Sequence, residues 1–156
     1  MISFTIPGVS GATAQQKGAF VSGKRVMFYT KATVKAEHTR LYSACYPHRP
    51  AKPIEGPIYL EVAYVFPMTK AEIKQHWEFI DVVNFVIWKL TRPDVDNCAK
   101  LMLDVLTDAN FYHDDSQISD LILRKRSGCD PRIAVTIRQA LPEEQALHGQ
   151  SCGVVL

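Results

Sequence analysis

The sequence predicts a single α/β domain of the α+β kind, in which a mixed sheet of about five strands carries two main helices. Three observations predict it. At 156 residues, with 47% hydrophobic side chains and only 10% aromatic, the chain suits one domain with a real core. Ile58, Leu60, Val62, Tyr64 and Phe66 alternate with Tyr59, Glu61, Ala63 and Val65, the period of a strand with one apolar face. Farther on, residues 95–109 place apolar side chains at helical spacing and lead into a second strand-like run, so helix and strand alternate.

Taken in order, Ile2, Phe4 and Ile6 alternate with Ser3 and Thr5 and predict a first strand ending at Pro7-Gly8. A small loop, 9–17, follows. Residues 18–25 nearly spell a phosphate-binding loop, but that motif needs Ser or Thr after its lysine and a helix starting there. Arg25 stands in that place and Val26 to Thr30 reads as strand, so a hairpin or loop carrying Lys17, Lys24 and Arg25 is expected, without a nucleotide cofactor. From Lys31 to Tyr46, Ala32, Ala36, Leu41, Ala44 and Cys45 sit among Lys35, Glu37, His38 and Arg40, which predicts an amphipathic helix stopped by Pro47.

Pro47, Pro50, Pro53 and Pro57 make the next stretch an extended linker into the 58–66 strand, which is expected to be central. In 68–90, Ala71 to Trp77 suggests a helix, and the apolar run through Trp88 is able to extend it. Trp77, Phe79, Phe85, Val86 and Trp88 suit either a dimer interface or a helix folded back on the core. Ile118 to Arg126 and Ile133 to Arg138 flank Ser127-Gly-Cys-Asp-Pro131, good turn chemistry for a hairpin. Arg124, Lys125 and Arg126 must point to both faces of their strand. The domain is expected over 1–140, with 141–156 a loose tail in which Pro142 to Leu147 makes at most one helical turn.

Composition excludes several classes of function. A net charge of +2 does not announce nucleic acid, so a DNA surface must come from local clustering. Cys45, Cys98, Cys129 and Cys152 form no C-x-x-C pair, which argues against structural zinc. The N-terminus lacks a signal-peptide pattern, and the run Val82 to Trp88 is far short of the ~20 residues needed to span a bilayer. A cytoplasmic, reduced protein without a membrane segment is expected.

The chemistry concentrates between Arg92 and Gln117. Pro93 bars helix before it and Asp94 suits an N-cap, so a helix is expected from Val95 to Ala109. Cys98, Leu101, Met102, Val105 and Ala109 fall on one face; Asp96, Lys100 and Asp104, spaced by four, line the other. A strand returning alongside the helix start would bring Asp115 towards Asp94 and Asp96. Converging carboxylates call for a hard divalent cation such as Mg²⁺ or Mn²⁺. The spacing alone equally permits Asp94 as a cap, Asp104 paired with Lys100, and Asp114-Asp115 in a wet turn.

Arg92-Pro93-Asp94-Val95-Asp96-Asn97, then Lys100, Asp104 and Thr107, and finally Asp114-Asp115-Ser116-Gln117-Ile118, resembles the RusA family of Holliday-junction resolvases. The strong match covers Arg92 to Ile118, and weaker strand patterning extends it over Ile2 to Arg138. The resemblance implies a catalytic set of Asp94, Asp96, Lys100 and Asp115, with Asp94, Asp96 and Asp115 holding Mg²⁺, or Mn²⁺ as a substitute. It implies a homodimer that nicks branched DNA, four-way junctions above all, in paired symmetric cuts during recombination and repair. Around that set, Asn97, Asp104 and Asp114 are candidate supporting residues, and Lys17, Lys24, Arg25, Arg92, Arg124 and Arg126 are candidate DNA contacts. RusA-like proteins commonly carry a basic, proline-containing loop near Lys17 to Arg25; here the bases remain and the prolines are missing.

Two other functions compete. A D-x-D element also holds the metal of nucleotide-sugar transferases, but these need a larger nucleotide-binding domain. A non-catalytic protein that binds branched DNA and retains the fold is the other. It would more often have lost one of Asp94, Asp96, Lys100 or Asp115, and all four are present.

Overall fold

A computed structural model describes residues 1–11, 17–22, 25–79 and 85–141. Among them, strands β1 (Ile2–Pro7), β4 (Ile58–Pro67), β5 (Val86–Trp88), β6 (Ile118–Gly128) and β7 (Arg132–Gln139) form one mixed sheet in the order β1-β7-β4-β6-β5. Strands β2 (Lys17–Ser22) and β3 (Arg25–Thr30) pair separately as an antiparallel hairpin. The two long helices are α1 (Ala32–Cys45) and α3 (Val95–Asp108), with a short α2 (Lys70–Gln75) between them. The expected α+β architecture is what the chain builds, and β4 is central as its alternation predicts.

Helices α1 and α3 pack together over one face of the sheet. Their core is a layer of Leu41 and Cys45 from α1, Met102, Val105 and Leu106 from α3, and Ile58, Leu60 and Val62 from β4, all at most 2% exposed. Removing this much apolar surface from water is the main force that fixes α3 on the sheet. Lys31 precedes α1 without a side-chain cap. The buried stripe of α1 differs from expectation: Ala32 and Ala36 face water and Glu37 is buried. Arg40 makes that possible, donating to both Glu37 carboxylate oxygens at 2.8 and 2.9 Å while also donating to the Pro7 carbonyl at 3.0 Å. Burial acts to raise the Glu37 pKa, but the bonds and charge of Arg40, with help from Ser10, outweigh it and leave the group lowered.

Two expectations about pairing are corrected. Strands β6 and β7 do not form a hairpin, because β4 lies between them, parallel to β6 and antiparallel to β7. A connection of three residues, 129–131, reaches across one intervening strand, roughly 10 Å. The apolar run through Trp88 does not extend a helix either. Helix α2 is opened by a capping box between Thr69 and Glu72 and already ends at Gln75, and Val86–Trp88 pairs with β6 as an edge strand. Trp77 and Trp88 are 68% and 70% exposed, so they are not folded back into the core. Expectations for Lys24, the 9–17 loop beyond Gly11, residues 80–84 and the 142–156 tail fall wholly or largely outside the described residues. No described helix is long and apolar enough to cross a membrane, and Cys45, Cys98 and Cys129 are free thiols.

Candidate active site

Helix α3 begins where proline demands. Asp94 occupies the N-cap position with extended backbone, φ −71° and ψ 147°, yet its carboxylate makes no capping bond. Anchorage comes from the sheet instead. Lys125 on β6 donates from Nζ to the carbonyls of Thr91 and Pro93 at 2.9 and 2.8 Å, and the buried Tyr64 hydroxyl on β4 donates to the Cys98 carbonyl at 2.9 Å. Tyr64 and Lys125 are register partners in the parallel pair, so both point to the helix side of the sheet. The faces of α3 are as expected: Cys98, Leu101, Met102, Val105 and Ala109 are buried, whereas Asp96, Lys100 and Asp104 are exposed.

The far end of α3 is closed by Asn110 at φ 59°, the left-handed position that asparagine tolerates, with the Phe111 amide reaching back to the Leu106 carbonyl at 3.0 Å. The chain then turns through 113–117. Gln117 holds this turn: its side-chain carbonyl accepts from the His113 and Asp114 amides, and its amide donates to Ile54 and Gly56 in the proline linker. Asp114 accepts from the Ser116 amide at 2.9 Å and is committed to the turn, while the exposed Asp115 carboxylate has no hydrogen bond or ion pair among the described residues.

Because β6 follows α3 after a short turn, the two run in opposite directions. Asp115, in the turn three residues before β6 begins, therefore lies beside α3 near Lys100 and Asp104, and Lys125, near the end of β6, lies beside its beginning. The expected approach of Asp115 to Asp94 and Asp96 does not close into an ion-holding cluster among the described residues. Asp115 instead shares a cleft of about 730 Å³ between α1 and α3 with Lys100, Asp104, Asp108, Asp114, Lys35 and His38. Asp96 stands about 6 Å along the helix axis from Lys100, one turn nearer the start. The structure thus brings Lys100 and Asp115 into one cleft and leaves Asp94 and Asp96 on its flank.

Electrostatics distinguish these acids. Burial in the cleft raises Asp104 above the ordinary aspartate range; Lys100 and His38 pull it down without prevailing, and Asp108 and Asp115 push it farther up. Asp104 and Lys100 form no ion pair, so the expected anchoring is a through-space attraction only. Asp108 accepts from His38 Nε2 at 3.0 Å. Asp114 is lowered by its bonds from Ser116. Beneath the helix start, burial pushes the Cys98 thiol up to about 11, with Asp96 and Asp94 adding to the rise and Lys125 opposing it.

The candidate DNA contacts divide. Arg25 is exposed at the start of β3 and Arg92 is exposed in the loop before α3, while Lys17 begins β2. Arg124 and Arg126 lie on the sheet face opposite α3: Arg124 is paired with Glu61, and Arg126 lies 3.7 Å over the Trp88 ring. Sequence reasoning missed Gln117, Lys125 and His38. Gln117 had a signal, since it stands three residues after a capping Asp114. The role of Lys125 needed the β4–β6 register, which no local pattern carries.

A family model described as Endodeoxyribonuclease RusA matches residues 10–138. The chain belongs to this family. It is 31% identical over 140 residues to the uncharacterised protein YqaN of Bacillus subtilis strain 168, covering 88% of this chain and 96% of that one. It is 28% identical over 127 residues to the crossover junction endodeoxyribonuclease rusA of Lactococcus phage r1t, covering 81% and 88%. The RusA-family match spans the hairpin, both long helices and the sheet from β4 to β7.

The acidic residues suit a divalent cation in kind. Among the described residues, Asp94, Asp96 and Asp115 offer hard oxygen ligands that no hydrogen bond or ion pair occupies, and the Asn97 side-chain oxygen is buried without a partner in the first turn of α3. They are not drawn tightly round one point: among the described residues no three Asp, Glu, His or Cys side chains converge closely enough to hold an ion.

Proposed function

We propose that the chain is a structure-specific endodeoxyribonuclease that resolves Holliday junctions and related branched DNA by paired symmetric nicks, in recombination and repair. The observation that carries this reading is the family match over residues 10–138; within it, Asp94, Asp96 and Asp115 are among the acids whose side chains hold no hydrogen bond or ion pair among the described residues. In this proposal those three hold Mg²⁺, with Mn²⁺ as a substitute. Such an ion supplies acidity to a water and positive charge to the phosphate. Lys100, on the helix face between Asp96 and the cleft, contacts the scissile phosphate or the departing 3′ oxygen as a compact charge. Asn97 and Asp114 steady the acidic residues beside them. Arg25 and Arg92 grip the phosphates that flank the cut, together with Lys17 and Lys24 of the hairpin region.

Two equivalent cuts need two equivalent sites, which a C2 homodimer supplies to a junction of near two-fold symmetry. Trp77, Phe79 and Val86, exposed around the β5 edge, are the surface we assign to that contact. The test is a synthetic four-way junction incubated with the protein in Mg²⁺ or in chelator. Paired symmetric nicks only with Mg²⁺ are expected. A junction that is bound but left intact in Mg²⁺ would return the protein to the class of non-catalytic branched-DNA binders, and cutting in chelator would remove the ion from the mechanism.

A further inference from the structure

We propose that Lys125 is a positioning residue for the acidic site: it fixes the loop that presents Asp94 and Asp96, and through it the cation affinity of the protein. The inference rests on the proposed metal site and adds a residue outside the motif.

The geometry is unusual for a strand lysine. Lys125 is half-buried and spends two of its three N–H donors on the carbonyls of Thr91 and Pro93, either side of Arg92 and immediately before Asp94. The loop has few other means of being held. Pro93 has no amide proton to donate, and the N-cap side chain of Asp94 makes no bond to the helix. Its neighbours Arg124 and Arg126 are turned to the other face, where Glu61 and Trp88 engage them. Lys125 alone of the three points towards the acids. A charged donor to a carbonyl is worth more than a neutral one, and losing it takes that donor from both carbonyls at once.

One strand consequently references both parts of the site. Asp115 stands in the turn that leads into β6, and Lys125 near the strand's end pins the opposite end of α3, so β6 and that turn together relate Asp94 and Asp96 to Asp115. The ammonium also adds positive charge beneath Asp94 and Asp96 without pairing to either, leaving their oxygens free.

Lys125→Met keeps the aliphatic stem and removes both bonds. In that variant, amide hydrogen exchange across 91–98 is expected to quicken at least tenfold, with 101–109 unchanged. Mn²⁺ binding, read by electron paramagnetic resonance without DNA, is expected to weaken about tenfold. Four-way junction binding in chelator should stay within about twofold. Lys125→Cys alkylated with bromoethylamine, which restores a lysine-like ammonium, should recover the Mn²⁺ affinity; it also serves if the methionine variant folds poorly. Unchanged exchange or unchanged Mn²⁺ affinity in Lys125→Met overturns the proposal, as does a loss of junction binding in chelator, which would make Lys125 a phosphate contact. If the wild-type protein binds no Mn²⁺ and cuts no junction, the reading of the metal site fails, and the proposal that Lys125 sets cation affinity fails with it; the exchange measurement then decides separately whether Lys125 holds the loop.

Discussion

The two ends of helix α3 both carry acid, but they use it differently. At the beginning, Asp94 and Asp96 have no internal partner, and the work of holding the helix has passed to Lys125 and Tyr64 from the sheet. At the end, Asp108 is bonded to His38, Asp114 closes a turn, and burial raises the pKa of Asp104; Asp115 is the exception. The difference teaches that a carboxylate committed to structure can be told from one kept available by asking what holds the backbone next to it. Where another group does the holding, the acid is free for a ligand.

The sharpest test of that distinction is Asp115→Asn against Asp104→Asn. The change at Asp115 keeps the size and one oxygen but removes a ligand charge, so cleavage should fall on the order of 10³-fold or more while thermal stability hardly changes. Junction binding without metal should be equal or tighter, because one repulsive charge beside the phosphate has gone. Asp104→Asn should lose far less activity. Single-turnover cleavage and binding measured for both variants decide it, and a dead Asp104→Asn beside an Asp115→Asn that cuts at the wild-type rate would transfer the site to the helix face.

A smaller effect is expected at Asp108. Its bond to His38 joins the middle of α1 to the end of α3 across the cleft, but the aspartate side is well exposed, so Asp108→Asn should cost only about 0.2–1 kcal/mol, less at high salt. Denaturant midpoints at two ionic strengths measure it. A loss of several kcal/mol would show that the cleft depends on this pair far more than its exposure allows.

Much of this contrast was legible in the residues. The faces of α3, its start after Pro93, the β1 and β4 strands and the end of α1 before Pro47 follow from periodicity and proline alone, because these are local properties. What escaped was non-local. The insertion of β4 between β6 and β7 rests on pairings between distant segments, and turn chemistry at 127–131 fits a hairpin and a strand crossing alike. Glu37 was assigned to the wet face because its burial depends on Arg40, one turn away, and on Ser10 and the Pro7 carbonyl farther back in the chain. How near Asp115 comes to Asp94 and Asp96 is non-local in the same way, because it depends on how the 113–117 turn and β6 run against α3.

The smallest expected effect bears on pH, and it separates Asp104 from Asp114 by sign. Burial holds the folded-state pKa of Asp104 above its unfolded value of about 3.9, so the ionised group costs stability. That cost is absent below the unfolded pKa and sets in as pH rises through the folded one. Asp104→Asn should therefore raise the melting temperature at neutral pH, by a few °C at most, and the gain should vanish below about pH 4. Asp114 is lowered by its bonds from Ser116, so its contribution is favourable above the unfolded pKa and is lost as pH falls through the folded one. Asp114→Asn should thus reduce stability at neutral pH and match wild type in acid. Melting curves from pH 3 to 7 for the two variants should diverge from wild type in opposite directions as pH rises. Parallel shifts would mean that the cleft does not burden Asp104, and that the acids near the end of α3 are as free as those at its beginning.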